Sequence, residues 1–271
     1  MNTITSINAE IINDSRNIPT LSVTVTTDTG AQGICMVPSG ASTGTYEACE
    51  LRDDGTSHGG VTKAQEIVNT VLAEALRGMD VLDQRGIDAC MISLDGTHNK
   101  TNLGGNSILG VSVACAKAAA HTQGKELYEH LQTLAEKTSE QVSPFLYFNL
   151  INGGKHAATK LAFQEYHVVP QTNDIQESLT IALRVQNALG DIVKEKYGEV
   201  VRGDEGGYAV PTENIREPLE LLSDRKTGLM KSEVVKCLQG SHEKGPVYRA
   251  LKKLQEAELI QETGGQVSFP G

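Results

Sequence analysis

Apolar and polar residues alternate along Thr20–Thr27 (Thr-Leu-Ser-Val-Thr-Val-Thr-Thr), a β-branched run that stops at Asp28-Thr29-Gly30. Period-two alternation ended by a turn signal predicts a strand, with Gly33–Val37 as its hairpin partner. The spacing then changes. Val61–Leu76 carries apolar residues three and four apart, which predicts a helix, and the Ala-rich stretch Ser107–His121 predicts a second helix buried against its neighbours. A strand pair followed by helices predicts an α+β unit, assigned to residues 1–135. From Ser143 the pattern becomes short apolar runs, Phe145–Ile151 and Tyr166–Pro170, separated by a loop and followed by a helical stretch over Ile175–Tyr197. This reads as βα-type alternation, assigned to residues 136–211.

Beyond Pro211 the pattern predicts a compact module over residues 212–271. Ile215–Leu222 has an apolar stripe, Lys231–Leu238 is read as a second helix with Ser232 as N-cap, and Gly245-Pro246 opens a third. In that third helix Val247, Leu251 and Leu254 fall on one face, leaving Tyr248, Arg249, Lys252 and Lys253 on the other. Leu259–Phe269 reads as a hairpin turning at Gly264-Gly265. Three helices and a hairpin resemble a winged helix-turn-helix module. That resemblance implies DNA binding through Tyr248, Arg249, Lys252 and Lys253, the third helix entering the major groove.

Charge sharpens the boundary. The 271-residue chain has a formal net charge of −10, yet residues 212–271 hold nine basic and nine acidic side chains. All the excess negative charge therefore lies before Thr212. Between Arg225 and Lys253 eight basic residues face two acidic ones, a local excess that suits an anionic partner. The hydrophobic content of 39% is ample for packed cores. No stretch approaches the ~20 apolar residues of a membrane span, and Met1–Ile12 lacks the form of a signal peptide, so a cytoplasmic location without membrane attachment is expected. The five cysteines, Cys35, Cys49, Cys90, Cys115 and Cys237, form no close pairs and are read as small buried residues.

Four ordered segments carry the chemistry: Asp14–Thr20; Pro38–Gly44; Leu94–Lys100 with Leu103–Gly110; and Asn152–His156 with Gln164-Glu165 and Gly203-Asp-Glu-Gly-Gly207. Gly40 and Gly44 flank small hydroxyl residues, as in loops that swing over a ligand. Taken singly, an isolated Glu or His is usually a solvated surface residue. In this order, however, the segments resemble the enolase (phosphopyruvate hydratase) family from about Ile4 to Pro211. The resemblance implies an enolase-like α+β N-terminal domain and an incomplete (β/α) barrel fragment, with the winged-helix-like module behind them. It implies that Glu205 is the general acid, that Glu165 with Gln164 stands near the leaving hydroxyl, that His156 contacts substrate, and that Ser42 helps hold a second Mg²⁺.

The same resemblance marks what is expected to be missing. Removing a proton beside a carboxylate calls for Mg²⁺ and a basic residue, and in the family the tight-magnesium ligands, the lysine base and the basic grips lie on later barrel strands. A closed barrel takes ~250 residues, against the 69 residues of Ser143–Pro211. Mg²⁺ is therefore expected to be weakly bound or absent. Small departures, such as Asn17-Ile18 where the family has Gly-Asn, suit relaxed constraint. Two functions from different classes follow. One is a catalytically silent enolase relative, truncated and fused to a DNA- or protein-binding module. The other is a component of an active hydratase, turning 2-phosphoglycerate into phosphoenolpyruvate once a partner chain completes it. Open strand edges also predict a homo-oligomer or a partner chain.

Overall fold

The structure, a computed structural model, describes residues 2–40, 44–56, 58–135, 143–203 and 205–222, together with the backbone of three short strands at 234–238, 261–263 and 266–268. The chain divides into two compact units, Met1–Glu140 and Gln141–Gly271.

In the first unit, β1 (Ile4–Asn13), β2 (Pro19–Thr27) and β3 (Gln32–Met36) form an antiparallel meander in that order. The expected hairpin is present as β2–β3, with Val23 opposite Cys35 and Val25 opposite Gly33. β1 adds a third strand to the predicted pair. One face of the sheet buries Leu21, Val23 and Val25, and α4 (Gly105–Thr122) lies against β2 and β3. The approach is close: a methyl group on Gly33 would meet the Ala114 carbonyl at 2.0 Å and the Ala118 amide at 2.3 Å. This is why the helix is built from small residues there. The stretch predicted as one helix is α1 (Thr62–Ile67), a π-helical turn (Val68–Leu72) and α2 (Ala73–Leu76), followed by α3 (Gln84–Asp95) and α5 (Leu127–Leu134).

Two of the motifs prove to be turn builders. Asp14 Oδ1 accepts the amides of Arg16 at 2.8 Å and Ile18 at 2.9 Å, and the intervening Asn17 sits at φ 63°. Asparagine is among the few side chains that enter this left-handed region readily, so Asn17 meets the backbone demand that glycine otherwise meets. Asp95, which is buried, accepts the amides of Thr97 at 3.0 Å, Asn102 at 3.1 Å and Leu103 at 2.7 Å, and so organises the loop that leads into α4. Cys35 and Cys115 are buried and Cys49 and Cys90 half-buried, all four free; burial pushes the Cys115 thiol up to about 12. This agrees with a packing role for the buried pair.

The second unit holds β4 (Phe148–Asn152) and β5 (Glu165–Val169), then α6 (Ile175–Tyr197) and α7 (Glu217–Leu222). α6 occupies the predicted span. Asp174 caps it by accepting the Glu177 amide at 2.7 Å, Lys194 and Lys196 lie in its last turn, and Gly198 at φ 76° ends it. Its buried face, Val185, Leu189 and Val193, shares a core with Ile151, Phe163, Tyr166, Val168 and Leu222.

Here the structure corrects two expectations. First, β4 and β5 are antiparallel, not linked by a parallel βα crossover. The connection between them holds one 3₁₀ turn (Gly154–His156) and no crossover helix. Second, the helix expected over Lys231–Leu238 is strand β6 (Val234–Leu238), antiparallel to β5 with Val169 opposite Val234 and Glu165 opposite Leu238. A short segment headed by two valines gains more from a sheet edge than from a lone turn of helix. The predicted hairpin is present as β7 (Gln261–Thr263) and β8 (Gln266–Ser268), but it joins β6 to complete a five-stranded sheet of order β4-β5-β6-β8-β7. Every strand pairing in that sheet is antiparallel, so the (β/α) barrel pattern is not built among the described residues. A winged helix-turn-helix is not supported, since its second helix is a strand; its expected third helix, 245–254, lies outside the described residues.

Candidate active site

β5 supplies two site residues from one face. Glu165 and His167 are two apart, so both point to the same side of the sheet, and their side chains meet with His167 Nε2 3.1 Å from Glu165 Oε2. On β4, Asn152 stands opposite Glu165 and Asn149 opposite His167. Residues three apart would face opposite ways on a regular strand. A register shift between Asn149 and Ile151 brings both asparagines onto the Glu165 side.

The loop after β4 adds His156. Gly153 donates to the Gln164 carbonyl at 2.9 Å, Gly154 to the Leu161 carbonyl at 2.9 Å, and His156 to the Gly153 carbonyl at 3.0 Å. Glycine is required at 153, where a Cβ would lie 2.3 Å from the Phe163 carbonyl. The imidazole is buried, with Nε2 in short contact with the Gln164 carboxamide.

The third contribution is the glycine-rich turn. Gly206, at φ 82°, donates to the Gly203 carbonyl at 3.0 Å, and Gly203 donates to Gly207 at 2.8 Å, which projects Glu205 from the tip. Tyr208 docks the base of this turn along the free edge of β4 through a parallel bridge to Ile151. Its ring fits over Gly190 of α6, where a methyl group would meet the hydroxyl at 2.3 Å. Arg202 stacks on the same ring at 4.3 Å and donates to the Gly206 carbonyl at 2.7 Å.

The result is a convergence on one nitrogen. His156 Nδ1 lies 3.3 Å from Glu165 Oε1 and 3.4 Å from Glu205 Oε1, and Asn149 Nδ2 donates to Glu205 Oε2 at 2.7 Å. Both carboxylates are within ion-pair reach of Nδ1, yet neither is aligned for a hydrogen bond. Burial and the neighbouring Glu205 push the Glu165 carboxyl up, and His156 opposes them; burial pulls the His167 imidazole down, against the pull of Glu205. A half-buried carboxyl held above the usual range, beside a more exposed one, is the environment of a proton donor.

The enolase N-terminal domain model matches residues 4–131 and the enolase C-terminal TIM barrel domain model matches residues 140–238. The chain is enolase-like from residue 4 to residue 238. Over 224 residues it is 44% identical to the enolase of Methanopyrus kandleri and 48% identical to that of Methanothrix thermoacetophila, in each case across 81% of this chain and 52% of the relative. The enolase of Thermococcus gammatolerans is 47% identical over 81% of this chain and 51% of its own length. The chain thus spans about half the length of the curated enolases it matches. The similarity also runs beyond Pro211, where the sequence pattern alone placed its end.

Of the residues expected in an enolase-like site, His156, Gln164, Glu165 and Glu205 are brought together. Ser42 and the basic set Tyr248, Arg249, Lys252 and Lys253 lie outside the described residues. Sequence reasoning missed Asn149 and His167 and gave Asn152, which opens one of the ordered motifs, no role; the signal for His167 was its place two residues after Glu165 on a β-rich run. The assembled donor set does not fit the Mg²⁺ that enolase resemblance implies. Mg²⁺ takes oxygen ligands in near-ideal octahedral geometry, whereas these carboxylates converge on an imidazole nitrogen. Among the described residues no helix is long and apolar enough to cross a membrane.

Proposed function

We propose that this chain carries the acid half of a phosphopyruvate hydratase site and is silent toward 2-phosphoglycerate by itself. The observation that carries the reading is the convergence of Glu165 and Glu205 on His156 Nδ1, at 3.3 and 3.4 Å. In elimination of water, a carboxyl beside the departing hydroxyl protonates it. Glu165, whose carboxyl is pushed up by burial and by the neighbouring Glu205, and Glu205, which projects from the tip of the glycine-rich turn, suit that task. His156 and Gln164 then orient the substrate.

The same charges argue for silence. The substrate bears a carboxylate and a phosphate, and its carbanion intermediate adds a further negative charge that must be met by cations aimed at it. The Glu165 and Glu205 carboxylates are partnered by imidazoles and a carboxamide, which hold a proton but offer no such field. Completion by a partner chain that supplies the base and metal ligands restores the elimination of water in this reading. The test is an assay of the purified 271-residue chain with 2-phosphoglycerate and Mg²⁺, alone and with a separately produced later-barrel fragment of an archaeal enolase. No turnover alone and turnover on mixing, lost in Glu205→Gln, is expected. Turnover by the chain alone that Glu205→Gln abolishes would overturn the silence.

A further inference from the structure

We infer that the outer edge of β5 is the docking edge for a strand of the completing partner, and that the chain's own strand β6 occupies it as a displaceable plug. This rests on the reading that a partner chain completes the site; it adds where that chain enters and what it must displace.

The first observation is which side of the site strands is open to exchange. β4 and β5 carry Asn149, Asn152, Glu165 and His167, so a strand that brings further groups to this cluster has to lie beside one of them. The free side of β4 is taken by the glycine-rich turn: Asn152 donates to the Tyr208 carbonyl at 3.0 Å and Tyr208 to the Leu150 carbonyl at 2.8 Å. Those bonds dock the turn that carries Glu205, and displacing them would dismantle the site. β5 is left. Its other side pairs with β6 over its full length, from Glu165 opposite Leu238 to Val169 opposite Val234.

The second is the architecture of the relatives. The match to the enolase TIM barrel domain ends at residue 238, and the chain spans about half of each relative. A closed barrel has no strand edges, so strands from the unmatched half have to meet the edges of β4, β5 and the docked turn. The covered edge of β5 is one of these. Its cover is padded from outside by β8 and β7, which lie beyond the barrel match.

The third is how lightly that cover is held. Among the described residues β6 pairs with β8 at two positions, Lys236 with Ser268 and Cys237 with Val267, and β8 pairs with β7 at three. Ladders this short are marginal by themselves. β5 is anchored independently: Tyr166 and Val168 are fully buried in a core with Val185, Leu189 and Val193 of α6. β6 follows α7 through residues 223–233, so it stands beside the edge as a tethered competitor, at an effective concentration in the millimolar range for a short flexible link. A partner strand adding through main-chain hydrogen bonds has to outcompete it, and its apparent affinity falls with the fraction of chains whose edge is open.

The test is binding of a dye-labelled later-barrel fragment of an archaeal enolase to the full-length chain, followed by fluorescence anisotropy without substrate or metal. Two variants move the plug in opposite directions. Positions 169 and 234 stand opposite one another across the β5–β6 ladder, where Cα atoms are about 4.5–5.5 Å apart, within the span of a disulfide. Oxidised Val169→Cys/Val234→Cys is expected to bind the fragment at least tenfold more weakly than its reduced form, with the parent chain oxidised in parallel as control. Lys236→Pro/Cys237→Pro removes two N–H groups from the part of β6 that is paired on both sides, and is expected to bind at least tenfold more tightly than the parent. In the free chain, amides of 234–238 are expected to exchange with deuterium at least tenfold faster than those of 148–152. Equal binding by the oxidised and reduced cysteine pair, no binding by any of the proteins, or β6 amides that exchange no faster than those of β4 would overturn the inference. So would a proline variant with unchanged helical circular dichroism that binds no more tightly; where that signal is lost, the cysteine pair decides. The acid-half reading fails separately: a fragment that binds as described but gives no turnover with 2-phosphoglycerate and Mg²⁺ removes that reading and leaves the docking edge.

Discussion

Gly207 donates its backbone N–H to Asn152 Oδ1 at 2.9 Å, and this bond holds the base of the Glu205 turn against β4. Asn152 is fully buried, and glycine is needed on both arms of the turn that folds over it. A Cβ on Gly207 would stand 2.7 Å from Asn152 Oδ1, and one on Gly203 would stand 2.5 Å from the His156 carbonyl and 2.7 Å from Asn152 Cβ. Gly203→Ala is therefore expected to destabilise the second unit by about 1–3 kcal/mol, the usual cost of overpacking, and to separate Glu205 from His156. Urea unfolding measures the first effect and the imidazole resonances of His156 the second. An unchanged midpoint with unchanged resonances would show that the turn docks elsewhere.

Buried histidines tie stability to pH. His130 and His167 are both held below the usual range, chiefly by burial; Lys125 adds to the effect at His130, and Glu205 opposes it at His167. The folded state thus takes protons less readily than the unfolded chain, whose histidines titrate near 6.5. Their contribution is whole above that pH and shrinks as pH falls below it. Urea midpoints measured from pH 8 to pH 5 are expected to drop through this window, and His130→Gln is expected to flatten the slope. A midpoint that rises on acidification from pH 7 to pH 6 would contradict the assignment.

Glu217 acts in the opposite sense of charge but the same direction of pH. Its carboxylate bonds to Lys196 and to the Thr212 hydroxyl, and these partners pull its pKa down to about 2 from the ordinary 4.5. The contribution is complete above 4.5 and is lost as pH falls toward 2. Glu217→Gln is expected to cost on the order of 1–2 kcal/mol at neutral pH, the range of a charge-assisted bond, with the difference from the parent vanishing in acid.

Asn17 offers a backbone test. At φ 63° it occupies a conformation that L side chains rarely adopt, and Asn13 Nδ2 donates to its Oδ1 at 2.9 Å. Asn17→Ala is expected to lower stability by about 1 kcal/mol, whereas Asn17→Gly should stay within a few tenths. Equal losses in the two variants would indicate that the side-chain bond, not the backbone conformation, is what matters.

Much of this was legible along the chain because it was local. The β2–β3 hairpin announced itself by alternation and a turn signal, α6 by its stripe and caps, and the four site residues by ordered motifs. β6 was misread because a segment such as Lys231–Leu238 satisfies a short helix and a strand almost equally well. Pairing with β5, some 65 residues earlier in sequence, is a non-local gain that no window contains. The outcome for His167 and Asn149 was hidden for the same reason: only register tells which side chains stand opposite one another.

By itself the sequence determined the kinds of groups available and their order, together with the turns that glycine, asparagine and aspartate make obligatory, because these depend on the backbone freedom of single residues and on spacing. Tertiary structure alone decided that two carboxylates meet one unpartnered imidazole nitrogen. That meeting depends on a one-residue register shift in β4, on the closed loop behind His156 and on the docking of Tyr208 over Gly190, each a packing event between segments distant in sequence. Moving a strand register by one residue turns its side chains to the other face, so the same residues in the same order would otherwise have made no site.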